Sequence, residues 1–174
     1  MTIKQIDKNF KDFVAFRKLY YSSFPQNERT PYKVLKKAIL EYEEFEAFAI
    51  YDNRNFVGLC VFTNHSHITN IMFIVIKKEY RNKGFGSKFL EYICNLKKDS
   101  VVLADLETPK RKNDNRSRRI KFYQKNGFKA SPIQYNWNNE DYIIYAKNGK
   151  ITEKEFVAFD NYLLNKYNFP YEYI

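Results

Sequence analysis

A chain of 174 residues is long enough to form one well-packed domain but too short to form two domains with cores of their own. Hydrophobic residues make up 44% and aromatic residues 18%, which argues against disorder, and no apolar run approaches the ~20 residues that a membrane helix needs. The net charge of +10 favours an anionic partner, which nucleic acid, a phosphorylated cofactor and a membrane surface would each supply.

Two cysteines, Cys60 and Cys94, stand in apolar segments without the spacing of metal ligands. They are expected to be buried thiols in a reducing compartment. Since no hydrophobic leader follows Met1, the sequence predicts a soluble, cytoplasmic protein without a metal. Both a monomer and a homodimer agree with these observations.

The first half of the chain alternates helical and strand-like patterns. Phe10, Phe13 and Val14 have helical spacing, and Thr30 before Pro31 is typical of an N-cap followed by proline in the first helical turn. In order, we predict a strand at 2–6, a helix from Phe10 to about Tyr21, a helix from Pro31 to about Glu41, a hairpin of strands 45–51 and 56–63, and a buried strand at 67–76.

The second half begins with a glycine-containing loop and returns to strands and helices. Thr152 and Glu155 have the spacing of a capping box, and Gly127 suits the end of a helix. We predict a helix after the loop to Leu96, a strand at 101–106, a helix at 117–126, strands at 131–137 and 142–147, and a last helix to about Lys166. The strand, loop, helix and strand at the centre predict a right-handed crossover between parallel strands.

The loop after the strand 67–76 places Gly84 and Gly86 one residue apart. Glycine permits positive φ and close backbone approach, so this turn exposes amides at a helix N-terminus, which suits an anion. Arg81 and Lys83 add positive charge, although a tight turn with solvated cations is the alternative interpretation. The loop lacks the Gly-Lys-Ser/Thr of a P-loop, and Phe89 replaces the third glycine of G-x-G-x-x-G.

Residues 75–87 resemble the acyl-CoA-binding motif of the GNAT N-acetyltransferases, whose core is R/Q-x-x-G-x-G/A. Arg81, Gly84 and Gly86 stand at its defined positions, and Val75-Ile76 takes the place of the strand-ending pair. Residues 122–128, FYQKNGF, resemble the second signature of the family, F/L-Y-x-x-x-G-F. The two motifs are about 40 residues apart, in the order that the family has, with a predicted strand between them.

The resemblance implies an α/β (α+β) fold with a central mixed, mostly antiparallel twisted sheet. It contains a parallel, splayed strand pair and is flanked by helices. The acetyltransferase domain is expected at 1–147, with a C-terminal helical extension at 148–174 packed on it. The implied activity is direct transfer of an acetyl group from acetyl-CoA to a primary amine in a ternary complex. A small molecule, a peptide N-terminus and a protein lysine all remain open as acceptors.

The resemblance also implies which residues bind CoA. The pyrophosphate is expected at the loop amides and beside Arg81, and the pantetheine arm along the strand that ends at Ile76. Arg116 stands where many relatives carry asparagine, in a basic stretch that is expected to face the CoA phosphates or simply to be solvated. The cofactor-binding residues are therefore Ile74, Val75, Ile76, Arg81, Asn82, Lys83, Gly84, Phe85, Gly86, Ser87 and Arg116.

Tyr123 stands where many relatives place the acid that protonates the CoA thiolate, although packing is its alternative role. The Ile76 N–H is the expected oxyanion donor. Asn70 occupies the position of a glutamate base in some relatives and accepts no proton at neutral pH. His67 and Glu107 are the remaining candidate bases, with structural roles as their alternatives.

Three residues are candidates for contact with the acceptor. Asp105 shares a predicted strand face with Glu107 and suits a cationic substrate, a proton-accepting role or an ion pair. Glu28 and Arg29 precede the second helix and either touch substrate or brace that helix.

Two other functions stay open. One is an acyl-CoA-binding module that performs no transfer. The other is a nucleic-acid binder, which only the charge and the aromatic content favour.

Overall fold

The computed structural model describes residues 1–24, 26, 29–137 and 139–167. Strands and helices alternate in the predicted order. The elements are β1 (Thr2–Gln5), α1 (Phe13–Ser23), α2 (Tyr32–Glu41), β2 (Phe45–Asp52), β3 (Asn55–His65), β4 (Ile68–Ile76), α3 (Phe85–Leu96), β5 (Val101–Glu107), α4 (Asn115–Lys125), β6 (Lys129–Trp137), β7 (Glu140–Lys147) and α5 (Glu153–Tyr167). Within the described residues, no helix is long and apolar enough to cross a membrane.

The strands form one seven-stranded sheet in the order β1-β2-β3-β4-β5-β7-β6. Strands β4 and β5 are parallel, and their register runs from Ile68 opposite Val101 to Ile71 opposite Ala104. The pairs β1–β2, β2–β3, β5–β7 and β6–β7 are antiparallel. The predicted mixed, mostly antiparallel sheet with one parallel pair is thus confirmed.

The described residues divide into two compact units, one containing residues 1–64 and 72–89 and the other residues 65–71 and 90–167. In the first unit, α1 and α2 bury their apolar sides with residues of β2, β3 and β4. The Tyr20 hydroxyl donates to the Thr30 carbonyl at 3.0 Å, which joins the two helices. The buried cluster consists of Ile6, Phe16, Leu19, Tyr20, Leu35, Ile39, Ala47, Ala49, Tyr51, Phe56, Leu59, Val61, Phe73 and Val75.

In the second unit, α5 packs through Phe156 and Phe159, whose spacing of three residues places them on one face of the helix. Leu163 joins this cluster, whereas Tyr162 stacks on the His65 ring with centroids 3.5 Å apart. The capping box is confirmed, because the Thr152 N–H donates to Glu155 Oε2 at 2.8 Å and the Glu155 N–H donates to Thr152 Oγ1 at 3.3 Å. The domain boundary at residue 147 stays a prediction.

Three predicted helix starts need correction. Helix α1 begins at Phe13, and Phe10 instead packs edge-on against Phe13 at 5.0 Å. Pro31, with φ −51° and ψ 127°, is the N-cap of α2 in place of Thr30. Helix α4 begins earlier than predicted because Asp114 caps it, accepting from the Ser117 N–H at 2.7 Å.

Candidate active site

The connection between β4 and α3 is a short turn with two left-handed residues. Arg81 Nε donates to the Ile76 carbonyl at 3.0 Å, which ties the turn back to the end of the strand. Asn82 and Gly84 have φ of +61° and +82°. Gly86 lies inside the first turn of α3 and is helical. The left-handed residue besides Gly84 is therefore Asn82, and asparagine tolerates this conformation.

This turn exposes backbone amides at the start of a helix of 12 residues. Residues 81–84 are exposed, and residues 85–87 are partly exposed. The Lys88 N–H donates to the Gly84 carbonyl at 3.1 Å, and the first amides of a helix have no acceptor within it. Lys83 adds its charge nearby, with its ammonium 5.4 Å from the Tyr80 ring centroid. The turn can therefore bind an anion through its main chain.

The end of β4 has a defined orientation relative to β3. The Lys77 N–H donates to the Val57 carbonyl at 2.8 Å. The Val75 carbonyl also faces β3, since a Cβ on Gly58 would lie 2.3 Å from its oxygen. Because peptide groups alternate in direction along a strand, the main-chain groups of Ile74 and Ile76 point away from β3.

Glu107 and Arg116 lie in an ion-pair network at the end of β5. The Glu107 carboxylate accepts from Arg119 Nη1 at 2.6 Å, and Arg116 Nη2 lies 3.7 Å from it. Arg116 Nη1 also donates to Glu140 at 2.7 Å, and hydrogen bonds from Arg116 and Lys110 lower the pKa of Glu140 to about 2. The Glu107 carboxylate and the Arg116 guanidinium therefore both have oppositely charged partners. For this reason our proposal uses neither Glu107 as the base nor Arg116 as a phosphate ligand.

Asp105 makes a hydrogen bond with Asn70, whose Nδ2 donates to Asp105 Oδ2 at 3.2 Å. The Oδ1 atom of each side chain is buried and has no hydrogen-bond partner among the described residues. Burial and the Asp160 charge raise the pKa of Asp105 to about 6, against hydrogen bonds from Asn70 and Tyr135 that lower it. Sequence reasoning selected each residue separately and missed that they form a pair.

Aromatic side chains surround this pair. The strand registers place Asp105 opposite Ile144 and Tyr142 opposite Tyr135, so Asp105, Tyr142 and Tyr135 share one sheet face. The rings of Tyr135 and Tyr142 stack 5.2 Å apart, and Tyr135 lies 5.9 Å from Phe156 of α5. Burial and the Asp105 charge raise the pKa of Tyr135 above its ordinary value, so this phenol remains protonated.

The other predicted residues are dispersed. His67 lies in the exposed turn before β4, at the opposite end of that strand from Ile76, and its Nε2 is 3.3 Å from Glu155. Arg29 lies over the Tyr21 ring at 4.7 Å, which agrees with a bracing role, and Glu28 lies outside the described residues.

Tyr123 is buried on α4, with 4% of its surface exposed. Its ring packs edge-on against Phe122 at 5.4 Å and Phe128 at 5.1 Å. Both aromatic neighbours belong to the FYQKNGF segment, so this motif builds its own small cluster. The packing fixes the position of the ring, and the role of the phenol as an acid stays a prediction.

A family model described as an acetyltransferase (GNAT) domain matches residues 43–130. Among solved structures, the fold is similar to that of a Bacteroides thetaiotaomicron protein assigned to the GNAT family of acetyltransferases, with a TM-score of 0.78 and 19% identity over 95% of this chain and 97% of that one. An aminoglycoside 6'-N-acetyltransferase complexed with coenzyme A has a TM-score of 0.71 and 15% identity over 88% and 100% of the two chains.

The ribosomal-protein-S18-alanine N-acetyltransferase of Escherichia coli is also similar, with a TM-score of 0.66 and 16% identity over 88% of this chain and 96% of that one. At such identities the similarity establishes the fold alone. No curated protein matches the sequence.

Proposed function

The chain belongs to the GNAT acetyltransferase family, and from that premise we propose that it transfers an acetyl group from acetyl-CoA to a primary amine. Family membership supports acetyl transfer in general, as the sequence motifs predicted. The turn between β4 and α3 carries the proposal for this chain, because its exposed amides and two left-handed residues suit a pyrophosphate.

Binding of acetyl-CoA is assigned to the end of β4 and the start of α3. The pyrophosphate would accept hydrogen bonds from amides between Asn82 and Ser87, and the positive end of the α3 dipole would favour its charge. The main-chain groups of Ile74 and Ile76 point away from β3, which leaves that edge for the pantetheine arm. One structural homologue, an aminoglycoside acetyltransferase, is complexed with coenzyme A, which supports the same ligand here.

Acetyl transfer requires a donor for the developing oxyanion and a proton for the departing thiolate. We assign the first role to the Ile76 N–H and the second to the Tyr123 hydroxyl. Arg81 supports the first assignment, since its hydrogen bond to the Ile76 carbonyl holds this peptide segment in place. The position of Tyr123 in the second motif supports the other.

Direct transfer, without an acyl-enzyme, agrees with the state of the two cysteines. Both are buried and neither forms a disulfide, and burial raises the pKa of Cys94 to about 11. A thiol in that environment holds little thiolate at neutral pH and is a poor nucleophile. Buried thiols that form no disulfide also suit the reducing cytoplasm in which we propose that the protein works.

The Gly86→Val variant tests the assignment of the cofactor site. A β-branched side chain in the first turn of α3 would hold the pyrophosphate away from the amides, so we expect calorimetry to show no CoA binding. Lys83→Ala should only weaken binding, because the main chain supplies most of the contacts. Glu91→Val adds the same side chain to an exposed position of α3 and should bind as the parent does.

Unchanged affinity in Gly86→Val would contradict this site. Thiol release with a panel of amines then separates a transferase from a protein that only binds acyl-CoA. Release of CoA that depends on an amine supports transfer, and tight CoA binding without release from any amine favours the binding module.

A further inference from the structure

We propose that Asn70 and Asp105 together bind the ammonium group of the acceptor and that Asp105 takes its proton. This inference rests on the proposed acetyl transfer. It assigns the base to Asp105 on β5. On β4, the position where some relatives carry glutamate is Asn70, and its amide donates a hydrogen bond to the Asp105 carboxylate.

Two unsatisfied acceptor atoms carry the argument. Asn70 Oδ1 and Asp105 Oδ1 are buried without hydrogen-bond partners among the described residues, and buried polar atoms are rarely left so. The two side chains are joined by a hydrogen bond of 3.2 Å, so both oxygens belong to one small site. Both oxygens can only accept hydrogen bonds, and a primary ammonium supplies three donors without an acceptor. Each residue is partly exposed as a whole, although the two Oδ1 atoms themselves are buried.

The groups around Asp105 suit a cation. Asp160 of α5 adds a second negative charge, and Tyr135 of β6 donates a hydrogen bond. Tyr142 of β7 stacks on Tyr135 at 5.2 Å, which gives the site an aromatic wall. An ammonium would therefore find opposite charge, acceptors and ring faces in one place.

The same charges define the substrate class. A carboxylate next to the amine, as in a free α-amino acid, would approach both Asp105 and Asp160 and be repelled. The site therefore favours primary amines without an adjacent carboxylate, such as an alkylamine, a lysine side chain or a peptide N-terminus.

The chemical step balances within this arrangement. Asp105 first takes one proton from the bound ammonium, which leaves a neutral amine with a lone pair. The lone pair attacks the thioester carbon, the C–N bond forms, and the carbonyl π electrons move to oxygen. The oxyanion then collapses, the C–S bond breaks, and the leaving thiolate takes the proton of the Tyr123 hydroxyl, which the second proton from the nitrogen replaces. The products are the amide, CoA and a carboxylic acid at Asp105 that returns its proton to solvent.

The decisive variant is Asp105→Asn, which keeps the shape of the side chain and removes the proton acceptor. We expect kcat/KM to fall by about 10²–10⁴, with CoA affinity by calorimetry within twofold of the parent. The parent should lose kcat/KM below about pH 6, and this acidic limb should vanish in the variant. Asp99→Asn removes an exposed carboxylate from a turn and should change neither quantity.

A second measurement needs no activity. An NMR titration of the Asp105 carboxyl carbon should show its pKa fall when n-butylammonium chloride is added, and fall less in Asn70→Ala. The same titration with glycine should leave it unchanged.

The outcomes separate the two proposals. A parent that binds CoA and acetylates amines, with Asp105→Asn equally active and no response to butylammonium, overturns the amine site alone. A parent that neither binds CoA nor releases thiol overturns the transferase and, with it, the role of Asp105 as its base.

Discussion

Burial raises the pKa of Asp105 from 3.8 to about 6, with help from Asp160, although hydrogen bonds from Asn70 and Tyr135 act in the opposite direction. An acid whose pKa is higher in the folded protein binds more protons when folded than when unfolded. The free energy of unfolding therefore decreases as pH rises from about 4 to about 6, and the full penalty is present above that range. A carboxylate that destabilises its own fold is typical of a functional position.

Asp105→Asn should remove this penalty. At pH 8 we expect the variant to be more stable than the parent by about 1–3 kcal/mol, because one pKa unit corresponds to about 1.4 kcal/mol. The difference should shrink at pH 5, where the parent carboxyl is mostly protonated. Urea unfolding of both proteins at the two pH values measures it. A variant that is destabilised equally at both would mean that ionised Asp105 is well accommodated.

Tyr123→Phe tests the leaving-group acid while keeping the ring that packs between Phe122 and Phe128. We expect the fold and acetyl-CoA affinity to be unchanged within a few-fold and kcat to fall by about 10²–10⁴. Steady-state kinetics with any accepted amine and calorimetry with CoA give the two values. Loss of affinity together with rate would indicate a packing role, and full activity would leave the proton to water.

Strands β3 and β4 approach so closely at one point that only glycine fits between them. A Cβ on Gly58 would lie 2.3 Å from the Val75 carbonyl oxygen and 3.2 Å from the Ile76 Cα. Since β3 also accepts the hydrogen bond from Lys77, this contact determines where β4 ends. The Ile76 peptide, our proposed oxyanion donor, is thus positioned by a glycine on the neighbouring strand.

Gly58→Ala should therefore reduce stability by about 2–3 kcal/mol, because the strands must separate to admit the methyl group. Gly84→Ala is the matched control: its Cβ would meet no atom within 4 Å, and its strain comes only from φ +82°, which costs about 1–2 kcal/mol. Urea unfolding gives both values, and amide NMR shifts at Ile76 should move in Gly58→Ala alone. An undisturbed Ile76 would contradict this role for Gly58.

Features set by neighbouring residues were predictable, and features set across the sheet were not. The α5 capping box lies within four residues and the sequence identified it, as it identified the glycine turn before α3. The Asp114 cap of α4 was missed although Asp-x-x-Ser is a short signal. Asn70 and Asp105 are 35 positions apart, and only the parallel pairing of β4 with β5 brings them together, so no local pattern could have paired them.

Ion pairs leave the net charge of +10 unchanged, since it is the excess of 30 Lys and Arg residues over 20 Asp and Glu residues. Arg116, Arg119 and Lys110 lie against Glu107 and Glu140, so part of the basic stretch before and within α4 neutralises acidic residues of its own unit. The remaining cations give the surface a positive field that attracts anions without selecting them. We propose that selection is left to the amides of the turn, whose hydrogen bonds to a pyrophosphate would depend much less on salt than a diffuse field does.

A thermal-shift comparison of CoA with a single-stranded oligonucleotide separates these two kinds of attraction. At 100 times its Kd, CoA should add about 2.7 kcal/mol of stability, which for a chain of this size raises the Tm by about 5–10 °C. Most of this shift should persist from 50 to 200 mM salt, because the main-chain contacts do not depend on counterion release. Oligonucleotide binding that rests on surface charge should weaken steeply over the same range. A Tm raised by the oligonucleotide at 200 mM salt and unaffected by CoA would reverse the assignment, since the positive field and not the turn would then define the ligand.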